Sequence, residues 1–190
     1  GIIECVVTGM MPGVGDPVFD KLDANLAKAI MSIGAVKGFE IGDGFAAADS
    51  TGSTNNDSFT VMDGKVVKKT NHSGGVLGGM SDGSDIIFRA AVKPTPSIAS
   101  MQQTVNKSGE DISISIKGRH DPMIVPRAVV VVEAMTALTI VDILRRGQIQ
   151  CDTIGFEKEV QGGHEIVLRC DFVLNESLLD YDMVVLPGGY

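Results

Sequence analysis

The pattern of elements predicts an α+β chain, and three observations carry that reading. Strand-like runs rich in β-branched residues recur at Ile2–Thr8, Gly34–Gly42, Asp85–Val92 and Ile112–Ile116. One amphipathic helix is signalled early, over Pro17–Ile33, and a longer apolar one late, beginning near Val125. Glycine-rich stretches separate these elements, so the chain turns often.

The elements follow in order. Phe19, Leu22, Leu26, Ile30 and Ile33 recur at helical spacing, with Asp16 as the expected cap and Pro17 at the first position. Gly34–Gly42 reads as a strand punctuated by glycines, each marking either a bulge or a close approach of another group. A short helix is expected over Asp43–Ala48, then a polar flap over Asp49–Ser58. Asn71–Gly79 is glycine-rich but lacks the spacing of a Walker loop or a dinucleotide fingerprint, and His72 within it reads as a structural histidine. Ser100–Asp111 reads as a polar linker into Ile112–Ile116, whose strict alternation predicts a half-buried strand. Val129–Val132 suits a strand, but the length of the apolar segment decides for a buried helix ending near Gly147. Strands are expected at Gln150–Ile154, Glu165–Cys170 and Met183–Leu186, the last opening into Pro187-Gly188-Gly189.

Composition narrows the function classes. The 190 residues are 44% hydrophobic, which suits a folded core, and carry a net charge of −8 with no basic tract, which argues against nucleic-acid binding. An anionic small-molecule ligand would need local cations or backbone N–H groups. Cys5, Cys151 and Cys170 are odd in number and lack metal-ligand spacing, so no metal site and a reducing, cytoplasmic setting are expected. No apolar run reaches the roughly 18 residues of a membrane span, and no membrane partner is expected.

Two stretches carry candidate chemistry. Arg119, His120 and Asp121 stand between Gly118 and Pro122, so a turn presents a cation, an imidazole and a carboxylate together. In Lys93-Pro94-Thr95-Pro96-Ser97 the ammonium and two hydroxyls fall at alternate positions and share a face if the segment is extended. That arrangement suits either a phosphate or a proline-rich surface loop.

Taken together, five blocks in order give a resemblance. Pro12–Asp23, Gly38–Phe45, Asn71–Gly75, Lys93–Ile98 and Gly118–Pro122 make residues 1 to about 137 resemble the C-terminal part of chorismate synthase. The resemblance implies that family's fold of mixed sheets and helices, and a homo-oligomer, a tetramer in the family. It also implies a lyase that makes chorismate from 5-enolpyruvylshikimate 3-phosphate by 1,4-elimination of phosphate, with reduced FMN as cofactor and no net redox turnover. Arg119, Gly34, Ala35, Gly78 and the Lys93–Ser97 segment (Lys93, Pro94, Thr95, Pro96, Ser97) match cofactor-contacting positions. Asp121, with His120 beside it, matches the carboxylate that helps move the proton.

Departures from that pattern accompany the match. Gly34 stands where the family often has Asn, while Met123 and Val130 replace a small residue and a proline. The family's N-terminal half, with its catalytic histidine, is expected to be missing, which would leave the apolar faces of Ile2–Thr8 and of the helix near Pro126 open. Residues 138–190, through Leu138–Arg146 and Asp180–Gly189, resemble instead the start of the PfpI-type protease and deglycase family, implying a partial flavodoxin-like α/β piece. The domain expectation is therefore 1–137 and 138–190. The rival functions are a PfpI-like cysteine hydrolase and a non-catalytic, self-associating fragment.

Overall fold

A computed structural model describes residues 1–118, 121–152, 154, 155, 157–161 and 167–174. Strand β1 (Ile2–Val7) leads through a Gly/Pro loop to α1 (Leu22–Met31) and β2 (Val36–Ile41). A 3₁₀ turn over Gly44–Asp49 and the one-turn α2 (Gly52–Asn55) precede two hairpins. These are β3 (Phe59–Met62) with β4 (Lys65–Lys68), and β5 (Val76–Leu77) with β6 (Met80–Ser81). Then come β7 (Ile86–Val92), a hairpin of β8 (Met101–Val105) with β9 (Asp111–Ser115), and α3 (Val125–Arg146). Short pieces follow: β10 (Ile154–Gly155), β11 (Glu159–Gln161), β12 (Val167–Arg169) and β13 (Phe172–Val173).

The organising layer is a sheet in the order β1-β7-β2, with β7 antiparallel to both neighbours. Its alternation does what period two requires: Ile86, Phe88, Ala90 and Val92 are buried and the residues between them are not. Their partners in the core are Ile3 and Val7 from β1, Leu22, Leu26 and Ile30 from α1, and Val132, Ile140, Ile143 and Leu144 from α3. Phe88 stacks on Phe39, ring centres 5.1 Å apart. Helices α1 and α3 therefore close one face of the sheet.

Several expectations are corrected. Helix α1 begins at Leu22, five residues later than Asp16-Pro17 suggested. The Asp16 N–H bonds the Asp20 carbonyl, and the Leu22 N–H donates to the Gly79 carbonyl at 2.8 Å, so a hairpin carbonyl decides the helix start. Phe19, expected on the core face, is 92% exposed. The expected flap at 49–58 instead carries α2 and ends on Asp57, whose carboxylate is buried. The expected linker at 100–111 contains β8; the Asn106 side chain accepts the N–H groups of Ser108 and Glu110 and closes the turn to β9. Strand β9 is not half-buried on the body, because among the described residues β8 and β9 pair only with each other and Ile114 is exposed.

The late helix matches its expected limits and runs unbroken through residue 137. Pro126 lies in its first turn, and Arg145 and Arg146 lie in its last, where cations meet the negative end of the helix dipole. Arg145 reaches past that end to the Cys151 carbonyl and to Asp171 Oδ2 at 2.9 Å, tying the later pieces to α3. Of the expected later strands, Ile154 and Val167–Arg169 are seen; Met183–Leu186 and Asp180–Gly189 lie outside the described residues.

The packing fixes a contrast. Phe88→Ala should cost about 3–5 kcal/mol in urea unfolding, whereas Phe19→Ala should change stability by no more than about 0.5 kcal/mol. A large loss at Phe19 would return that residue to the core.

Candidate active site

Both ends of β7 feed candidate loops. At its C-terminal end the Lys93 N–H donates to the Ala35 carbonyl at 2.9 Å, which brings the Gly34-Ala35 pair and the Lys93–Ser97 segment together. Ala35 holds a left-handed backbone (φ 70°), and the space where a Gly34 side chain would stand is open. Lys93 is exposed and Thr95 half-buried. The Thr95 hydroxyl is buried with no hydrogen-bond partner among the described residues. A buried hydroxyl left unmade costs about 1–3 kcal/mol, so an orphan at this corner fits a ligand that supplies a polar partner.

Toward the other end of β7, Gly78 forms the tip of the β5–β6 hairpin beside the start of α1. The ten residues of α1 lie between it and Ala35, about 15 Å of helix. Its φ of 61° and open surroundings leave its backbone accessible. Gly78 is thus not drawn to the Ala35–Lys93 corner within this chain.

The glycine-rich run is held by a buried ionic cluster that sequence reasoning missed. Lys68 Nζ, its side chain only 2% exposed, meets Asp82 Oδ2 at 2.7 Å, Asp57 Oδ2 at 3.1 Å, Ser73 Oγ at 2.7 Å and Asn71 Oδ1 at 3.1 Å. Burial pushes the Asp57 carboxyl up, but the backbone N–H groups of Ser73 and His72 and the hydroxyls of Thr70 and Ser73 outweigh it and hold the group far below the carboxylate range. In Asp82, burial is likewise outweighed by Lys68 and Ser84, and the carboxyl is lowered. His72 Nδ1 lies 2.8 Å from Asp43 Oδ2, which also accepts from Asn55. A Cβ on Gly42 would stand 2.0 Å from the His72 carbonyl, so only glycine lets the loop lie this close. The Asp63-Gly64 pair at the β3–β4 turn was the available signal for the hairpin that delivers Lys68.

Arg119 and His120 lie outside the described residues. Asp121 is described, and its carboxylate accepts from Arg127 at the start of α3. No short-range pattern announces that pair, because the turn at Pro122 lies between its members. Among the described residues no His, Cys, Asp and Glu group has metal-binding geometry.

The comparisons decide the family. A family profile described as chorismate synthase matches residues 1–144. The chain belongs to the chorismate synthase family. The chorismate synthase of Lachnospira eligens is 77% identical over 144 residues, covering 76% of this chain and 39% of that protein. The enzyme of Methanosarcina barkeri is 58% identical over 156 residues, covering 81% of this chain and 43% of its own. A crystal structure of chorismate synthase superposes with a TM-score of 0.61 at 32% identity, covering 77% of this chain and 37% of that one. The chain thus spans about two fifths of the relatives it matches, and the shared region continues along α3 past residue 137 to 144. The mixed arrangement of sheets and helices is that of the chorismate synthase structure.

The buried cluster yields a pH prediction. Asp57 and Asp82 are depressed in the folded chain relative to an ordinary value of 3.8, so their contribution is present above about pH 4 and is lost as acid protonates them. Lys68→Met removes the cation and strands two buried carboxylates. It should cost about 3–5 kcal/mol at pH 7, with the difference from wild type shrinking in unfolding curves taken below pH 4. A loss under about 1 kcal/mol at pH 7 would contradict the role given to Lys68.

Proposed function

We propose that this chain is the flavin-holding part of a chorismate synthase, a lyase that eliminates phosphate from 5-enolpyruvylshikimate 3-phosphate with reduced FMN as cofactor. Membership of the family supports the reaction class, and the orphaned Thr95 hydroxyl at the Ala35–Lys93 corner is the observation that carries the cofactor reading. Reduced FMN supplies the electron-rich ring that assists loss of the phosphate and takes no net oxidation. In this reading Thr95 donates to the cofactor, and the Ala35 and Gly78 backbones approach its ring or phosphate. Lys93, with Ser97 and Arg119, meets the anionic groups, while Pro94 and Pro96 keep the segment extended. Asp121, with His120 beside it, serves the proton; Arg127 holds its carboxylate meanwhile. Residue Gly78 then reaches the cofactor from a different direction than the 93–97 segment, in keeping with the roughly 15 Å of α1 between them.

Further parts of the proposal go past the family match. Exposed apolar residues on β3 and β4, among them Phe59, Val61 and Val66, support a homo-oligomer. Among the described residues no helix is long and apolar enough to cross a membrane, which is in keeping with a cytoplasmic location. The PfpI-like α/β piece expected at 138–190 is proposed only for the part after residue 144, where the family match ends; the parallel pairing of β10 with β13 is the local feature that supports it.

Two measurements test this reading. Titration with FMN should give a dissociation constant in the micromolar range or weaker. Thr95→Val should weaken it roughly tenfold while leaving the empty chain as stable or about 1 kcal/mol more so, since the variant removes an unpaired hydroxyl. Unchanged FMN affinity in Thr95→Val would remove Thr95 from the site. In the enzyme completed by its remaining portion, Asp121→Asn should lower turnover by about 10²-fold or more with FMN affinity little changed. Normal turnover in that variant would make the carboxylate structural.

A further inference from the structure

Beyond β7 the exposure alternates along the candidate segment: Pro94, Pro96 and Ile98 are exposed, whereas Thr95 and Ser97 are half-buried. The two prolines fix φ at their own positions and donate no backbone hydrogen bond, so they do not by themselves hold the segment in place. Thr95, between them, keeps its hydroxyl out of water with no hydrogen-bond partner among the described residues. A free segment would turn such a group back to solvent, so it has to be held on both sides. On the N-terminal side the hold is the Lys93 N–H on the Ala35 carbonyl at 2.9 Å.

On the other side the hold comes from the β8–β9 hairpin, which among the described residues pairs with no further strand. Gln102 is the one residue of β8 that is not exposed. Its amide nitrogen carries two hydrogens and donates to the Pro96 carbonyl at 3.1 Å and, at a longer 3.4 Å, to the Ile98 carbonyl. Carbonyls two residues apart in an extended chain face the same way, so one amide can meet both. Across the hairpin from Met101, the Ser115 hydroxyl donates to the Ala99 carbonyl at 2.7 Å. The direction of the Pro96 carbonyl is set by ψ, and the ring has already set φ. The Gln102 bond therefore completes the conformation of the residue that follows Thr95.

We infer that Gln102 is a positioning residue for the proposed cofactor segment, and that the β8–β9 hairpin is the clamp that carries it. The inference rests on the flavin reading of the Ala35–Lys93 corner. Gln102 acts through Pro96 rather than on the cofactor, keeping the Thr95 hydroxyl desolvated and in place before a ligand arrives. Order already present is order that the ligand need not impose, so its loss lowers affinity without removing a ligand contact. Gln103, next along β8, is the contrast: its side chain is exposed and accepts from Ser113 within the hairpin.

The test titrates the chain and its variants with reduced FMN. Gln102→Met keeps the bulk of the side chain and removes both donated bonds. It should weaken FMN binding by about three- to tenfold, the worth of one hydrogen bond, with circular dichroism and the urea midpoint unchanged. That loss should vanish when Thr95→Val is already present, because Gln102 acts through that hydroxyl. Gln103→Met should bind FMN as the wild type does. In the free chain, backbone relaxation at Thr95 and Ser97 should report a looser segment in Gln102→Met and not in Gln103→Met. Wild-type affinity in Gln102→Met overturns the inference, and so does a loss of equal size with and without Thr95→Val. A wild-type chain that takes no FMN defeats the cofactor reading instead. Relaxation then decides the clamp alone: a looser segment in Gln102→Met supports it, and an unchanged one overturns it.

Discussion

The burial of β7 against α1 and α3 is the constraint on which the remaining structure depends. Phe88 and Ile86 are fully buried beneath Leu22, Leu26 and Ile30, and each is worth several kcal/mol at this degree of burial. Because that strand cannot shift, its two ends cannot either. One end sets the Ala35–Lys93 bond and the course of Lys93–Ser97; near the other, Ile87 donates to the Gly74 carbonyl and fixes the glycine-rich run. The candidate residues lie on loops, but a packed strand aims the loops.

The polar cluster around Lys68 is the second support. A buried ammonium ringed by two carboxylates, a hydroxyl and an amide is costly to assemble, so its return is specificity more than net stability. It welds four separate stretches, the end of the 49–58 loop, β4, the glycine-rich run and the loop before β7, into one arrangement. That arrangement orders a run whose glycines would otherwise have wide conformational freedom. The Thr95 corner is the opposite case: a polar group desolvated without a partner, as expected where a ligand completes the structure.

Much of this was legible in the sequence, for physical reasons that differ by element. Strands β1 and β7 show as β-branched runs because each is buried on one side, and helix α3 shows in the length of its apolar segment. The start of α1 does not, because the Gly79 carbonyl that takes the Leu22 N–H comes from a hairpin more than fifty residues away in sequence. Asp16-Pro17 is a sound local cap that a tertiary contact overrides. The β8–β9 hairpin was half seen: Ile112–Ser115 alternates, while Met101–Val105 is polar enough to pass for a linker. Lys68 carries no local mark of its burial, since its partners Asp57 and Asp82 are brought to it by the fold. The pairing of Ala35 with Lys93 was reachable only through the family resemblance, which matches both to cofactor-contacting positions.

The proposed flavin site at the Ala35–Lys93 corner is open to a direct test. Amide resonances of the isotopically labelled chain, followed during titration with reduced FMN, test it most directly. A flavin at this corner gives saturable shifts concentrated at Ala35, Lys93, Thr95 and Ser97, with Asp57 and Ser73 in the ionic cluster unmoved. Shifts that spare the 93–97 segment, or none at millimolar FMN, would contradict it.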